Sequence, residues 1–396
     1  MPDRVVAVFV GTRADLGPLA PVITAIADAP DLTLRVLTGV MYAADDLAAA
    51  LPGPRTAEEW RPLVRPLADP MKAVTADAQV AQGARLAAGV GRAVRDEGID
   101  VIVVLGDRWE LLDVVPPAFL LGVPIVHLHG GEVTEGAVDE RIRHAVTKLA
   151  DEHCVASADA ATRLRQLGEP EQRVHVTGAP GLDRLTSVRP MSDHEIACLT
   201  GLPAIQRPLA LFTYHPATTA GVARVGPWSR EALEATLEVC GTVIATHPGM
   251  DAGREGILAA LDELGHAHAD RLAVVPALGR DYPRVLAAVD VVVGNSSSGI
   301  IEAATVRVPA VDVGDRQLGR LRGENVLHSR EGRSHVAHAL REALSPDFRE
   351  RTGHASNPYG TGEAAERILD IVRRAGSAGR AKPFVDLDCT QKERNG

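Results

Sequence analysis

Residues 4–26 read "RVVAVFVGTRADLGPLAPVITAI", and this stretch decides the fold class. Its first seven residues are apolar after Arg4 and show no polar alternation, which marks a strand buried on both faces. A glycine turn follows, and then Leu19, Val22, Ile23 and Ile26 recur at i, i+3, i+4 and i+7, the spacing of one helix face. Working outward, "LTLRVL" reads as a second strand and residues 77–97 as a long Ala-rich helix. "DVIVVLGD" and "VPIVHLHGG" read as further strands, with "WELLDVVPPAFLLG" helical between them despite its Pro pair. Uniformly apolar strands separated by helices predict a parallel sheet covered on both faces.

After about residue 178 the pattern restarts, with "TGAPGLDRL" as a Gly/Pro-rich linker. "PLALFTYHP", "GTVIATHPG", "RLAVVPA", "VDVVVGNSSSG" and "VPAVDVGD" supply the strands of a second half. The fold class expected is therefore α/β, with two Rossmann-like doubly wound domains. The expected boundaries are 1–178 and 179–375, with residues 376–396 as a loosely held tail.

The chain has 396 residues, 45% apolar and 24% charged, a globular composition with enough material for two cores. A net charge of −10 without any basic run argues against a nucleic-acid partner. No stretch reaches bilayer-spanning length, and the opening apolar run is too short for a secretory signal, so no membrane partner and a cytoplasmic location are expected. Four widely spaced cysteines offer neither a disulfide framework nor a thiolate zinc site.

Polar residues gather directly after the apolar strands. The first strand is followed by Arg13 and Asp15, the third by Asp107, Arg108 and Glu110, and the next by His127, His129 and Glu132. In the second half His215, His247, Asn295 to Gly299 with Glu302, and Arg316 hold equivalent places. Doubly wound sheets bind ligands beyond the carboxyl ends of their strands. In "GNSSSGIIEA" a strand, a small-residue loop and a helix start together suit an anion, beyond the ordinary use of serine as a cap. Glu302, one turn in, would repel phosphate and suits ribose hydroxyls better. The chain has neither a dinucleotide glycine fingerprint after its first strand nor a Walker lysine.

The stretch "VHLHGGEVTEGAVDERIRHAVTKL", 126–149, allows several readings. His127 and His129, two apart on a strand, would share a face and could share a metal, with Glu132 or Asp139 as further ligands. That set does not define a metal site, and none is expected. The later part is helical, with Val138, Ile142, Val146 and Leu149 as its buried stripe. Glu140, Arg143 and His144 read as a solvated face with i,i+4 pairing. Asp139 differs, because it opens the helix beside the glycine loop.

Together with "GTRADLGPLAPVI", "LGDRWELL", "VTGAPGLD", "YHPATT" and "VGDRQLGRLRGENVL", these motifs resemble the UDP-N-acetylglucosamine 2-epimerase family over residues 5–375, and its hydrolysing branch most closely. The resemblance implies a glycosyltransferase-B-like pair of domains with the active site in the interdomain cleft, no cofactor, a nucleotide-sugar substrate, and a homodimer or homotetramer. It implies that Ser296, Ser297 and Glu302, with Asn295 beside them, meet diphosphate and ribose, and that Arg13, His215 and Arg316 are further nucleotide partners. Asp107 and Asp139 match catalytic carboxylates, with Glu132 in the same catalytic group and Arg108 a nearby contact. The implied chemistry removes the C2 proton, expels UDP to give a 2-acetamidoglucal, and adds water to give N-acetylmannosamine.

His129 stands where many members carry a catalytic glutamate, and an imidazole can serve as acid or base. Gly17 and Gly249 are further departures from the family pattern. The alternatives are the same elimination on another nucleotide sugar, such as a UDP-2,4-diacetamido-trideoxyhexose, or on a nucleoside in secondary metabolism, or an inactive nucleotide-binding relative.

Overall fold

The structure, a computed structural model, describes residues 4–51, 53, 55–135, 139–216, 222–249, 253–377, 379 and 381–386. The chain forms two compact units, each built on one parallel sheet. The first comprises Met1–Glu132, Asp139–Pro180 and Glu363–Gly396, and the second Val133–Val138 and Gly181–Gly362.

The sheet of the first unit contains β1 (Arg4–Phe9), β2 (Leu32–Thr38), β3 (Val64–Pro66), β4 (Val101–Leu105), β5 (Ile125–Leu128), β6 (Glu152–Val155) and β7 (Val174–Val176). Their order, β3-β2-β1-β4-β5-β6-β7, reverses direction between β1 and β4, and every pairing is parallel. Such a reversal opens a crevice at the carboxyl ends of the two central strands. The stripe read in the sequence is fully buried: Leu19, Val22, Ile23 and Ile26 pack over one face with Val6, Val8 and Val103. Leu86, Val90, Val114 and Val146 cover the other face. Each such side chain contributes about 1.5–3 kcal/mol through removal from water.

The second unit repeats the plan with β8 (Leu209–Thr213), β9 (Thr242–Thr246), β10 (Leu272–Val275), β11 (Val291–Gly294), β12 (Ala310–Val313) and β13 (Val326–Ser329). The order β10-β9-β8-β11-β12-β13 is again parallel throughout, with its reversal between β8 and β11. The two doubly wound sheets are those expected from the sequence. Among the described residues no helix is long and apolar enough to cross a membrane.

Two segments differ from the sequence reading. The Ala364–Arg374 helix, expected to close the second domain, lies in the first unit, where Ile368, Ile371 and Val372 complete the core beside the Arg13–Asp28 helix. Residues 381–386 are docked rather than loose. Lys382 Nζ donates to the carbonyls of Thr147 (3.1 Å) and Ala150 (2.6 Å) and pairs with Glu169 (2.8 Å), while the Val385 N–H donates to Gly168 O. An ammonium is favourable there, because the last carbonyls of a helix such as Asp139–Leu149 have no partner within the helix and carry its negative dipole end.

Ile368→Ala should therefore destabilise the first unit by about 2–5 kcal/mol. Urea unfolding followed on a first-unit reporter such as Trp60 measures this, and a loss below about 0.5 kcal/mol would remove the helix from that core.

Candidate functional site

In the first unit the polar strand-end residues form two connected groups. At the end of β1, Asp15 accepts the N–H groups of Gly11 (3.0 Å) and Thr12 (2.7 Å) and so caps the Arg13–Asp28 helix. Arg13, its first residue, is half-buried. Glu110 approaches from the loop after β4 and takes a 3.0 Å bond from Arg108 Nε. Gly11 makes that approach feasible, since a Cβ there would stand 2.5 Å from Glu110 Oε1. Burial first, then the charge of Glu110, raise the Asp15 carboxyl to about 6, against the pull of Arg108.

The second group joins the ends of β4 and β5 to the Asp139–Leu149 helix. Arg143 is 1% exposed. It donates to Asp107 Oδ2, to the Glu132 carbonyl, and to Glu140 Oε2 at 2.7 Å. Burial alone would lower its pKa, and the charges of Asp107, Glu132 and Glu140 outweigh that and raise it. The reading of Arg143 as a solvated face is thus overturned. Its partner Asp107 follows Gly106, whose φ of +73° turns the chain sharply at the strand end. Glu140 does pair with His144, at 3.4 Å. Of the expected stripe Val146 is buried and Ile142 and Leu149 are partly so, while Val138 lies outside the described residues.

The two histidines part company. His127 is fully buried on β5, with Nε2 2.8 Å from the Gly106 carbonyl and Nδ1 3.4 Å from Thr147 Oγ1. A carbonyl only accepts, so Nε2 carries the proton. Burial above all lowers its pKa to about 3, which keeps the ring a neutral strut between the two strand ends. His129 lies beyond the strand with φ of 60°, so strand alternation does not extend to it and the shared-face metal reading loses its basis. Its Nδ1 meets Glu132 Oε1, and its Nε2 is buried without a partner among the described residues. The carboxylate accepts, so in the neutral ring the proton sits on Nδ1 and Nε2 presents a lone pair. Asp139 opens the helix, half-buried, one turn before Arg143. Among the described residues no three His, Cys, Asp or Glu side chains are grouped to hold a metal.

In the second unit Asn295 is the knot. Its Oδ1 accepts the His215 N–H at 2.6 Å and its Nδ2 donates to the His215 carbonyl at 2.9 Å. Its own carbonyl takes Arg316 Nη1 (3.1 Å) and Gln317 Nε2 (2.9 Å). The Asn295 amide, expected to meet substrate, is therefore committed to the backbone of His215. The Gly249 N–H donates to His215 Nδ1 at 2.9 Å, leaving the ring proton on Nε2.

Ser296 caps the Ser297–Ile301 helix through Ser298. That helix is only five residues long, so its dipole is weak and N–H groups and hydroxyls are the main anion donors. Glu302, at its end, pairs with Arg184 at 2.9 Å. Arg143, Gln317 and Arg184 were missed in the sequence. The only local signal was an arginine four residues after Asp139, on the side of the helix that carries Val146 and Thr147.

Residues 70–373 match the family model described as UDP-N-acetylglucosamine 2-epimerase. The chain is 32% identical to the UDP-N,N'-diacetylbacillosamine 2-epimerase (hydrolyzing) of Legionella pneumophila, over 92% of this chain and 94% of that one. It is 30% identical to the UDP-N-acetylglucosamine 2-epimerase of Neisseria meningitidis, over 96% and 98% respectively. The crystal structure of a Neisseria meningitidis UDP-GlcNAc 2-epimerase bound to UDP-GlcNAc has the same fold, with a TM-score of 0.73 at 17% identity over 94% of this chain and all of that one.

The raised Asp15 value has a sign that can be checked. A folded pKa near 6 against about 3.9 unfolded gives stability that is fully present below the unfolded value and is lost as pH rises through about 6. Asp15→Asn should remove that dependence, on the order of 2–3 kcal/mol between pH 4 and 7. Parallel unfolding curves of variant and parent across that range would contradict it.

Proposed function

The chain belongs to the UDP-N-acetylglucosamine 2-epimerase family, and on that premise we propose that it is a hydrolysing epimerase, converting UDP-N-acetylglucosamine and water to N-acetylmannosamine and UDP. The observation that carries this reading is the His129–Glu132 pair, whose outer ring nitrogen, Nε2, is buried and meets no partner among the described residues. The sugar C2–H is a poor acid, so its removal needs an oriented base withdrawn from water. Nε2 of His129 takes the C2 proton, the electron pair forms the C1=C2 bond, and the C1–O bond breaks to release UDP. Glu132 holds the imidazole in the required tautomer and stabilises the imidazolium that results.

Asp107 has a different role. A carboxylate paired with a buried guanidinium is a weak base, and it serves instead to stabilise positive charge building at C1. Asp139 supplies the proton to C2 on the opposite face as water adds to C1. In the second unit the Ser296 and Ser297 hydroxyls, Arg316 and the Nε2–H of His215 hold the diphosphate, with Asn295 fixing His215 in place. Glu302 meets the ribose. Arg13 and Arg108 take the remaining substrate contacts, Arg108 being already oriented by Glu110.

The Legionella relative's name favours one second reading, the same elimination on a UDP-2,4-diacetamido-trideoxyhexose. Incubation of each sugar nucleotide in D₂O separates the cases. The proposal expects UDP, free N-acetylmannosamine and one deuterium at C2 from UDP-N-acetylglucosamine. Deuterium in an unreleased UDP-sugar would make the enzyme non-hydrolysing. Turnover of the diacetamido sugar alone would favour the second reading, and UDP binding without any turnover would make the chain an inactive relative.

Two variants test the division of roles. Glu132→Gln should lower kcat by about 10²–10⁴, since the imidazole loses the negative charge that stabilises the imidazolium and the acceptor-only partner that fixes its tautomer. Asp107→Asn should lower kcat by about 10³ while UDP affinity stays within about threefold. An Asp107→Asn enzyme with normal kcat and weak UDP binding would instead place that carboxylate with the nucleotide.

A further inference from the structure

Glu302 poses an electrostatic problem. It directly follows the Ser297–Ile301 helix, beside the serines read above as the diphosphate loop, and a bare carboxylate there would repel the ligand. The same unit holds the answer. Arg184, the last residue of the Pro180–Arg184 turn, donates Nη2 to Glu302 Oε1 at 2.9 Å. Its guanidinium also lies over the ring of Tyr282, 5.3 Å from the centroid. Burial first, and the charge of Glu302 next, push the Tyr282 phenol well above its ordinary value, so the ring is a neutral platform.

Glu302 is 8% exposed, so the pair stands largely out of water, where neutralisation matters most. The contrast with another arginine of this unit is informative. Arg207 pairs with Asp290, and that carboxylate also holds the Leu209 N–H at the start of β8, which ties the pair to the sheet. Arg184 instead has Nε buried without a partner among the described residues, and its guanidinium is directed to a carboxylate and an aromatic face. Nothing in that arrangement braces a strand.

We propose that Arg184 is a positioning residue for nucleotide recognition, turning Glu302 toward the ribose hydroxyls and cancelling its charge beside the diphosphate. The site then distinguishes ribose from 2′-deoxyribose without losing affinity for the pyrophosphate. This rests on the reading of the second unit as the half that holds UDP.

The test is calorimetric titration of UDP and 2′-deoxy-UDP into the full-length protein and its Arg184→Met, Glu302→Gln and doubly substituted forms. The parent should prefer UDP by about tenfold or more, as expected from the loss of one hydroxyl-to-carboxylate hydrogen bond. Arg184→Met should weaken UDP by about tenfold or more, because it leaves the carboxylate unopposed. The double variant should regain most of that loss while lacking the ribose preference, and added salt should narrow the Arg184→Met defect. A purely structural role would not produce recovery on removing the second partner. Arg184→Lys, which keeps the charge, should stay within about threefold of the parent and covers the case in which Arg184→Met does not fold. A double variant no better than Arg184→Met, or Arg184→Met within twofold of the parent, overturns the inference alone. Failure of the parent to bind UDP overturns the nucleotide reading and this inference with it.

Discussion

The first unit depends on where one buried positive charge can find its partners. Arg143 is held almost wholly out of water on the Asp139–Leu149 helix, and an unpaired guanidinium there would cost several kcal/mol. Its three partners come from the loop after β4, the loop after β5 and its own helix. The need to satisfy one ion therefore fixes two strand-end loops against each other. His127 reinforces the same junction from below, bridging Thr147 on that helix to the Gly106 carbonyl. The residues assigned to proton removal and to charge stabilisation at C1, His129, Glu132 and Asp107, are side chains of the loops so fixed, and preorganisation of this kind is what such chemistry requires.

The second unit reaches a comparable result with fewer charges. Asn295 uses its whole side-chain amide on the main chain of His215 and its carbonyl on Arg316 and Gln317. Three loops are thereby registered by hydrogen bonds that cannot all persist if any one shifts. Glu302, beside the serine loop, is matched by Arg184. In both units the sheet supplies direction and a few fully engaged polar residues supply precision.

Much of this was legible in the sequence. Strands buried on both faces cannot hide their composition, which is why β1, β4, β8 and β11 read directly from runs of Val, Leu and Ile. The strand-end positions of Asp107, His129, His215 and Ser296 followed from the same runs. The edge strands β3 and β7 are three residues each and carry no such run. β6, "EHCV", hides because its polar side chains are satisfied far away in sequence, His153 by Glu169 and Glu152 by Arg173 and His175. Arg143 was misread for the same reason: local spacing offers it Glu140, while Asp107 lies 36 positions upstream. The Ala364–Arg374 helix shows an apolar face in sequence, but no local pattern says which core that face will enter.

The central claim is that Glu132 holds His129 with its proton on Nδ1 and a bare, dry Nε2. Nitrogen-15 NMR of histidine-labelled protein, with the His129 signals identified by their loss in His129→Gln, measures this directly. The account expects the neutral ring of His129 to be the Nδ1–H tautomer. A neutral ring protonated on Nε2 would contradict it, because the nitrogen meant to take the sugar's proton would already carry one.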